Sequence, residues 1–168
     1  ITECAPLVAV SGDRLRKRGS VGHVLPNCQV RISNPDENGN GEIQVKGDNV
    51  MLGYYKAPED TAAVFTEDGW FKTGDIGHLD NQNFLYLCGR TKNLIILSNG
   101  KNVFPEEVEE HLVHAVPYIE EAVVFADDDN LGIYAVCYLN PEYCKENGLE
   151  TEQAMYERVI ADVQNYNK

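Results

Sequence analysis

The hydrophobic rhythm of the chain changes near residue 93, and that change limits what it can fold into. Up to residue 90 the apolar residues come in short stretches: Val30 and Ile32, Ile43 and Val45, then Phe84 to Leu87. Turn formers separate them: Asn34-Pro35, Asn38-Gly39-Asn40-Gly41, Asp68-Gly69 and Asp80-Asn81. Alternation with period two turns one face of a strand toward a core, and Gly, Asn, Asp and Pro supply the bends between strands. Residues 1–91 therefore predict a small β-rich, barrel-like subdomain. A helix interrupts it around 58–65, where Pro58 suits a first helical turn and Glu59 and Asp60 sit near its positive end.

Residues 92–168 predict a small α+β layer of pattern ββαββα. Leu94 to Leu97 reads as a strand, Gly100 allows a tight turn, and Asn102 to Phe104 returns. Pro105 opens a helix with Glu106 and Glu107 in its first turn, and Val108, Leu112 and Val116 share one face. Pro117 stops it. Two strands follow, 119–126 and 131–139, joined by Asp127-Asp128-Asp129-Asn130. A last helix starts near Thr151, a good N-cap, with Tyr156, Val159, Ile160 and Val163 as its apolar stripe.

Charge divides the chain in the same place. The net charge is −13, of which −2 falls on residues 1–100 and −11 on residues 101–168. Phosphate repulsion makes so acidic a second unit a poor partner for DNA or RNA, and no nucleic-acid role is expected. No stretch approaches the ~18 apolar residues of a membrane span. Peripheral contact with a membrane is left open. Five cysteines with no CxxC pair argue against a disulfide framework or zinc knuckle and for a reducing, cytoplasmic setting.

Three stretches carry residues suited to chemistry. In Trp70-Phe71-Lys72-Thr73-Gly74-Asp75-Ile76-Gly77, two glycines permit tight turns around one carboxylate. Asp75 there either accepts a pair of ribose-like hydroxyls or bonds its own backbone. In Gly89-Arg90-Thr91-Lys92, Arg90 has a planar fork that matches phosphate or ribose oxygen, and Lys92 lies at the boundary between units. Two solvated charges at a strand start are the plainer account. In Ser98-Asn99-Gly100-Lys101, Gly100 lets a ligand pass close to the backbone or simply makes a hairpin turn. Arg14, Arg16, Lys17 and Arg18 read as a solvated basic loop. His111 and His114 have the spacing of two metal ligands on a helix but lack a third, and a helix C-terminus explains them more simply.

In order, these pieces resemble the adenylate-forming (AMP-binding) enzymes: acyl-CoA synthetases, luciferases and peptide-synthetase adenylation domains. The resemblance runs through Thr2-Glu3, GEIQVKGDNVMLGYY (41–55), GWFKTGD (69–75) and GRTKNLIILSNGKNVFPEEVEE (89–110). The last wording is most similar to long-chain fatty acid–CoA ligases. The resemblance implies that ATP activates a carboxylic acid as its acyl-adenylate, and that coenzyme A then displaces AMP. It implies that Thr2 contacts the nucleotide phosphate, Glu3 helps hold Mg²⁺, Asp75 takes both ribose hydroxyls and Arg90 lies near ribose and phosphate. Lys92 matches the hinge between domains, and Gly100 the glycine along the pantetheine path of coenzyme A.

By the same resemblance, residues 1–91 would be the β-rich end of a large adenylation domain and 92–168 an incomplete mobile C-terminal domain. The family's phosphate loop would lie before Ile1 and its adenylation lysine after Lys168, so a fragment inactive by itself is expected. An acyl-carrier-protein ligase or peptide-synthetase adenylation domain is the alternative within the family. A non-catalytic binding module is the alternative outside it.

Overall fold

The computed structural model describes residues 1–13, 15–127 and 129–166. Three positions read above, Arg14, Asp128 and Lys168, lie outside the described residues. The chain divides into two compact units, Ile1–Lys92 and Asn93–Lys168.

The first unit opens with a 3₁₀ turn, Thr2–Cys4. Its strands are β1 (Ala9–Val10), β2 (Gly22–Val24), β3 (Cys28–Ser33), β4 (Gly41–Gly47), β5 (Phe71–Leu79) and β6 (Phe84–Arg90), with helix α1 (Pro58–Val64) between β4 and β5. They form one antiparallel sheet in the order β1-β2-β6-β5-β4-β3. Alternation sets the register as expected: Val30 faces Val45 and Ile32 faces Ile43 across β3 and β4. Ile43, Val45, Phe71 and Leu85 pack with Cys4, Val8 and Cys28 into the core. The β3–β4 turn is held by Asp36, whose Oδ1 accepts from the backbone N–H groups of Asn38 and Asn40, both at 2.9 Å.

The expected barrel does not close. Among the described residues the sheet ends at β1 on one side and β3 on the other. A barrel needs its two edges to pair along their length. With β1 only two residues long and β2 three, that end of the sheet offers too short a ladder.

A second difference concerns Asp75. The glycines around it read as a turn, but the segment is the longest strand of the sheet, β5. Gly74 lies inside it at φ 71°, a left-handed conformation that an L side chain rarely takes. The ladder to β4 breaks here: Glu42 pairs with Ile76, yet Gln44 pairs with Lys72. Two extra residues on β5 make a bulge. Thr73 repairs it from within. Its buried hydroxyl donates to the Ile43 carbonyl at 2.8 Å and accepts from the Asp75 N–H at 3.0 Å.

The second unit begins with a small hairpin of β7 (Ile95–Ile96) and β8 (Asn102–Val103), shorter than the predicted strands. Gly100, at φ 81°, makes its turn. Helix α2 (Pro105–Ala115) packs on β9 (Ile119–Ala126), which pairs antiparallel with β10 (Ile133–Leu139). The expected strand start at Leu131 moves to Ile133, because Asp127 Oδ1 takes the N–H groups of Leu131 and Gly132. Helix α3 (Pro141–Glu146) is absent from the predicted ββαββα pattern. Its signal is local: Asn140 caps it by accepting from the Tyr143 N–H at 2.8 Å, and Pro141 is its first residue. Helix α4 (Glu152–Tyr166) starts at the expected Thr151, whose hydroxyl accepts from the Ala154 N–H at 3.2 Å. Val116, Tyr118 and Ile119 form a small core with Val159 and Val163 of α4.

Candidate active site

A one-residue register shift in the β5–β6 ladder decides what Asp75 meets. Gly77 pairs with Leu87 and Ile76 with Gly89, so Cys88 is an extra residue on β6, and beyond it Asp75 lies directly opposite Arg90. Arg90 Nε lies 3.2 Å from Asp75 Oδ1, a pair in which the carboxylate is the more buried partner. Burial raises the Asp75 carboxyl above its ordinary value; the Arg90 guanidinium pulls it down without cancelling the rise, and the Glu3 charge pushes it further up. The Thr91 N–H donates to the Gly74 carbonyl at 2.9 Å and ties the far end of β6 to the bulge. The Ile43 and Gly74 carbonyls and the Asp75 N–H thus find partners around the bulge, while Arg90 stays exposed beside a partly buried Asp75.

The charge of Glu3 acts on Asp75 while the Thr2–Cys4 turn is fastened within the same unit. Cys4 is fully buried. Asn49 Nδ2 donates to the carbonyls of Cys4 and Leu7 at 3.2 and 2.9 Å. The Met51 N–H donates to the Glu3 carbonyl at 2.7 Å. A cavity of about 190 Å³ adjoins this region, with Asp75 and Thr73 on its wall and Ile1, Val45, Leu85 and Leu87 around it.

Thr2, Glu3, Asp75 and Arg90 therefore sit on one body. Lys92 is its last residue and is exposed. Gly100 belongs to the second unit, where an added Cβ would meet nothing within 4 Å. Two residues that sequence reasoning passed over matter here. Thr73 holds the bulge, and Tyr54 donates its hydroxyl to Glu3 Oε1 at 3.1 Å. A threonine directly before a Gly-Asp pair was the available signal for the first. Nothing local signals the second.

The histidines of α2 do other work. His111 and His114 each bond, through Nδ1 at 3.0 Å, a carbonyl one turn earlier, those of Glu107 and Glu110. Among the described residues no three His, Cys, Asp or Glu side chains gather as a metal centre. Mg²⁺ makes a smaller demand: one or two carboxylates, waters and substrate phosphates. The Glu3 carboxylate is an oxygen donor of that kind. No helix among the described residues is long and apolar enough to cross a membrane.

Asp75 and Arg90 present a carboxylate and a guanidinium together on the sheet, and Glu3 offers a second carboxylate on the Thr2–Cys4 turn. The AMP-binding enzyme family model matches residues 1–55. The long-chain-fatty-acid–CoA ligase ACSBG1 of Rattus norvegicus is 37% identical over 139 residues, 81% of this chain and 19% of that protein. The indoleacetate–CoA ligase of Aromatoleum aromaticum is 40% identical over 147 residues, 83% of this chain and 28% of that protein. The ATP-bound RpMatB-BxBclM chimera B1 superposes with a TM-score of 0.70 at 34% identity, covering 88% of this chain and 29% of that one. O-succinylbenzoate coenzyme A synthetase of Bacillus subtilis, in complex with ATP and magnesium ion, gives a TM-score of 0.63 at 39% identity, covering 77% and 30%. The chain belongs to the adenylate-forming, AMP-binding enzymes. It spans less than a third of the length of each of these relatives.

Proposed function

We propose that this chain is part of an ATP-dependent acid–thiol ligase acting on a long-chain fatty acid. The carboxylate oxygen of the acid attacks the α-phosphorus of ATP, and pyrophosphate leaves. The thiolate of coenzyme A then attacks the acyl carbon, and AMP leaves with the bond electrons. The observation that carries this reading is the Asp75–Arg90 pair, set opposite each other across the β5–β6 ladder. Asp75 accepts hydrogen bonds from both ribose hydroxyls, and Arg90 turns toward ribose and phosphate. Thr2 contacts the phosphate. Glu3 is the carboxylate that helps hold Mg²⁺, which supplies neutralisation of phosphate charge when bound.

Asp75 and Arg90 act by positioning and charge rather than by taking part in bond making. Lys92 is the hinge between residues 1–91, the end of an adenylation domain, and a C-terminal domain that moves between half-reactions. Gly100 lines the path of the pantetheine arm. The choice of a long-chain acid rests on similarity to ligases of that name; relatives of comparable similarity carry other acids in their names. The reading places the enzyme in the cytoplasm, which five cysteines outside any disulfide suit.

The test uses the intact enzyme that carries this chain. With a panel of carboxylic acids, exchange of pyrophosphate into ATP is expected to be fastest with long-chain acids and to fall at least about 100-fold in Asp75→Ala. Unchanged exchange in Asp75→Ala would remove Asp75 from the nucleotide site, and a preference for short or aromatic acids would remove the fatty-acid assignment. Lys92→Pro is expected to slow one half-reaction far more than the other; equal losses would count against the hinge.

A further inference from the structure

Glu3 sits on a three-residue turn at the surface, where a flexible side chain would ordinarily sample several rotamers. Here both its backbone and its carboxylate are held by one segment of chain about fifty residues away. The Met51 N–H takes the Glu3 carbonyl at 2.7 Å, and the Tyr54 hydroxyl donates to Glu3 Oε1 at 3.1 Å. Among the described residues Glu3 Oε2 makes no matching hydrogen bond, so the carboxylate is anchored through one oxygen.

Tyr54 is itself fixed. Its N–H donates to Thr61 Oγ1 at 2.9 Å, and that hydroxyl donates onward to the Ala57 carbonyl at 2.8 Å. The Ala57 N–H returns to the Tyr54 carbonyl at 3.3 Å and closes a small ring of bonds at the start of α1. Gly53 makes the ring fit: at φ +153° it rests against Thr61, and a Cβ there would come within 2.8 Å of the threonine methyl. The sequence Gly53-Tyr54 with Thr61 is thus a mount whose outward product is one phenol aimed at one carboxylate.

We propose that Tyr54 is a positioning residue for Glu3, orienting its carboxylate for the Mg²⁺ that accompanies ATP. This role presupposes the reading of Glu3 given under the proposed function. A hydrogen bond to a ligating carboxylate sets its direction and limits its motion, and loss of such a partner typically weakens metal affinity by about tenfold or more. The phenol is the right group for the task because it donates to the carboxylate without bringing a positive charge that would repel the cation.

The test compares wild type, Glu3→Gln, Tyr54→Phe and Thr61→Val in the intact enzyme. Binding of Mn²⁺ in the presence of ATP is followed by water-proton relaxation, and the Mg²⁺ concentration for half-maximal adenylation is measured beside it. Tyr54→Phe keeps the ring and its packing. It is expected to raise both constants about tenfold, with kcat at saturating Mg²⁺ changed less than about twofold. Thr61→Val leaves the phenol in place but loosens its mount, so it should give a smaller rise in the same direction. Glu3→Gln should raise both constants at least as much as Tyr54→Phe.

If Glu3→Gln weakens Mn²⁺ while Tyr54→Phe does not, Tyr54 has no positioning role and the Glu3 assignment stands. If Glu3→Gln leaves Mn²⁺ binding unchanged, the metal assignment falls and the role of Tyr54 falls with it. Melting temperatures of the variants show whether each fold is intact; a tenfold metal effect in an intact Tyr54→Phe protein is the supporting result.

Discussion

The β5–β6 and β9–β10 hairpins are built alike and used differently. Each is an antiparallel pair of strands of seven to nine residues. The β9–β10 ladder runs without interruption from the Ile133–Ala126 pair to the Tyr138–Glu121 pair. Its regular pleat sends Val123 and Phe125 of one strand and Tyr134, Val136 and Tyr138 of the other to one exposed face. The β5–β6 ladder is interrupted at Ile76–Gly77, and β5 bulges against β4 as well. A regular ladder repeats the same environment every second residue. An irregular one makes a single position unlike its neighbours, and Asp75 with Arg90 occupies that position.

If the bulged hairpin is the specialised one, substitutions there should be felt far more than in the regular one. The largest effect is expected from Gly77→Ala. An added Cβ would lie 1.9 Å from the Tyr86 carbonyl oxygen across the ladder, and backbone cannot give way cheaply. A loss of about 3 kcal/mol, measured by urea unfolding of the 168-residue chain, is expected; a loss under about 1 kcal/mol would mean the strands separate more easily than the register suggests.

Thr73→Val comes next. It keeps the shape but leaves the Ile43 carbonyl and the Asp75 N–H without their buried partner, for a loss of about 2 kcal/mol. Near-neutral behaviour would show that water or a shifted backbone replaces the hydroxyl.

The third effect depends on pH. Burial raises the Asp75 carboxyl above its ordinary 3.8 on folding, so the folded state holds this proton more tightly than the unfolded chain. The stability it contributes is full below 3.8 and is lost as pH rises through the raised value. Asp75→Asn, which stays neutral, should therefore gain on wild type as pH climbs through that window. Unfolding midpoints of the two proteins that stay a constant distance apart across the window would refute the burial argument. The smallest effect is expected from Val136→Thr on the exposed face of β10, where stability should change by less than about 0.5 kcal/mol. A larger loss would show that this face is covered in solution.

Much of the architecture was legible because its causes are local. Pro58 and Pro105, each followed by two acidic residues, announced α1 and α2. Thr151 announced α4, and alternation in β3 and β4 set their pairing. Helix α3 was equally local, an asparagine cap and a proline, but at six residues it leaves little periodicity to read. The open edge of the sheet was not legible, since closure depends on how far two distant strands can pair.

The residue types of the site were present in the sequence from the start, and their order carried the family resemblance. What the sequence determined by itself was most of the strands and helices and the chemical kinds of side chain on offer. The tertiary structure decided which of them meet. Asp75 faces Arg90 because the β5–β6 register shifts by one residue past Gly77, with Cys88 the extra residue on β6, and that shift appears only when the strands pair. Glu3 meets Tyr54 because residues 51 apart are brought together by packing of the turn on the sheet. Local propensity acts over a few residues, whereas register and packing act across the whole unit, and the site is made by the second.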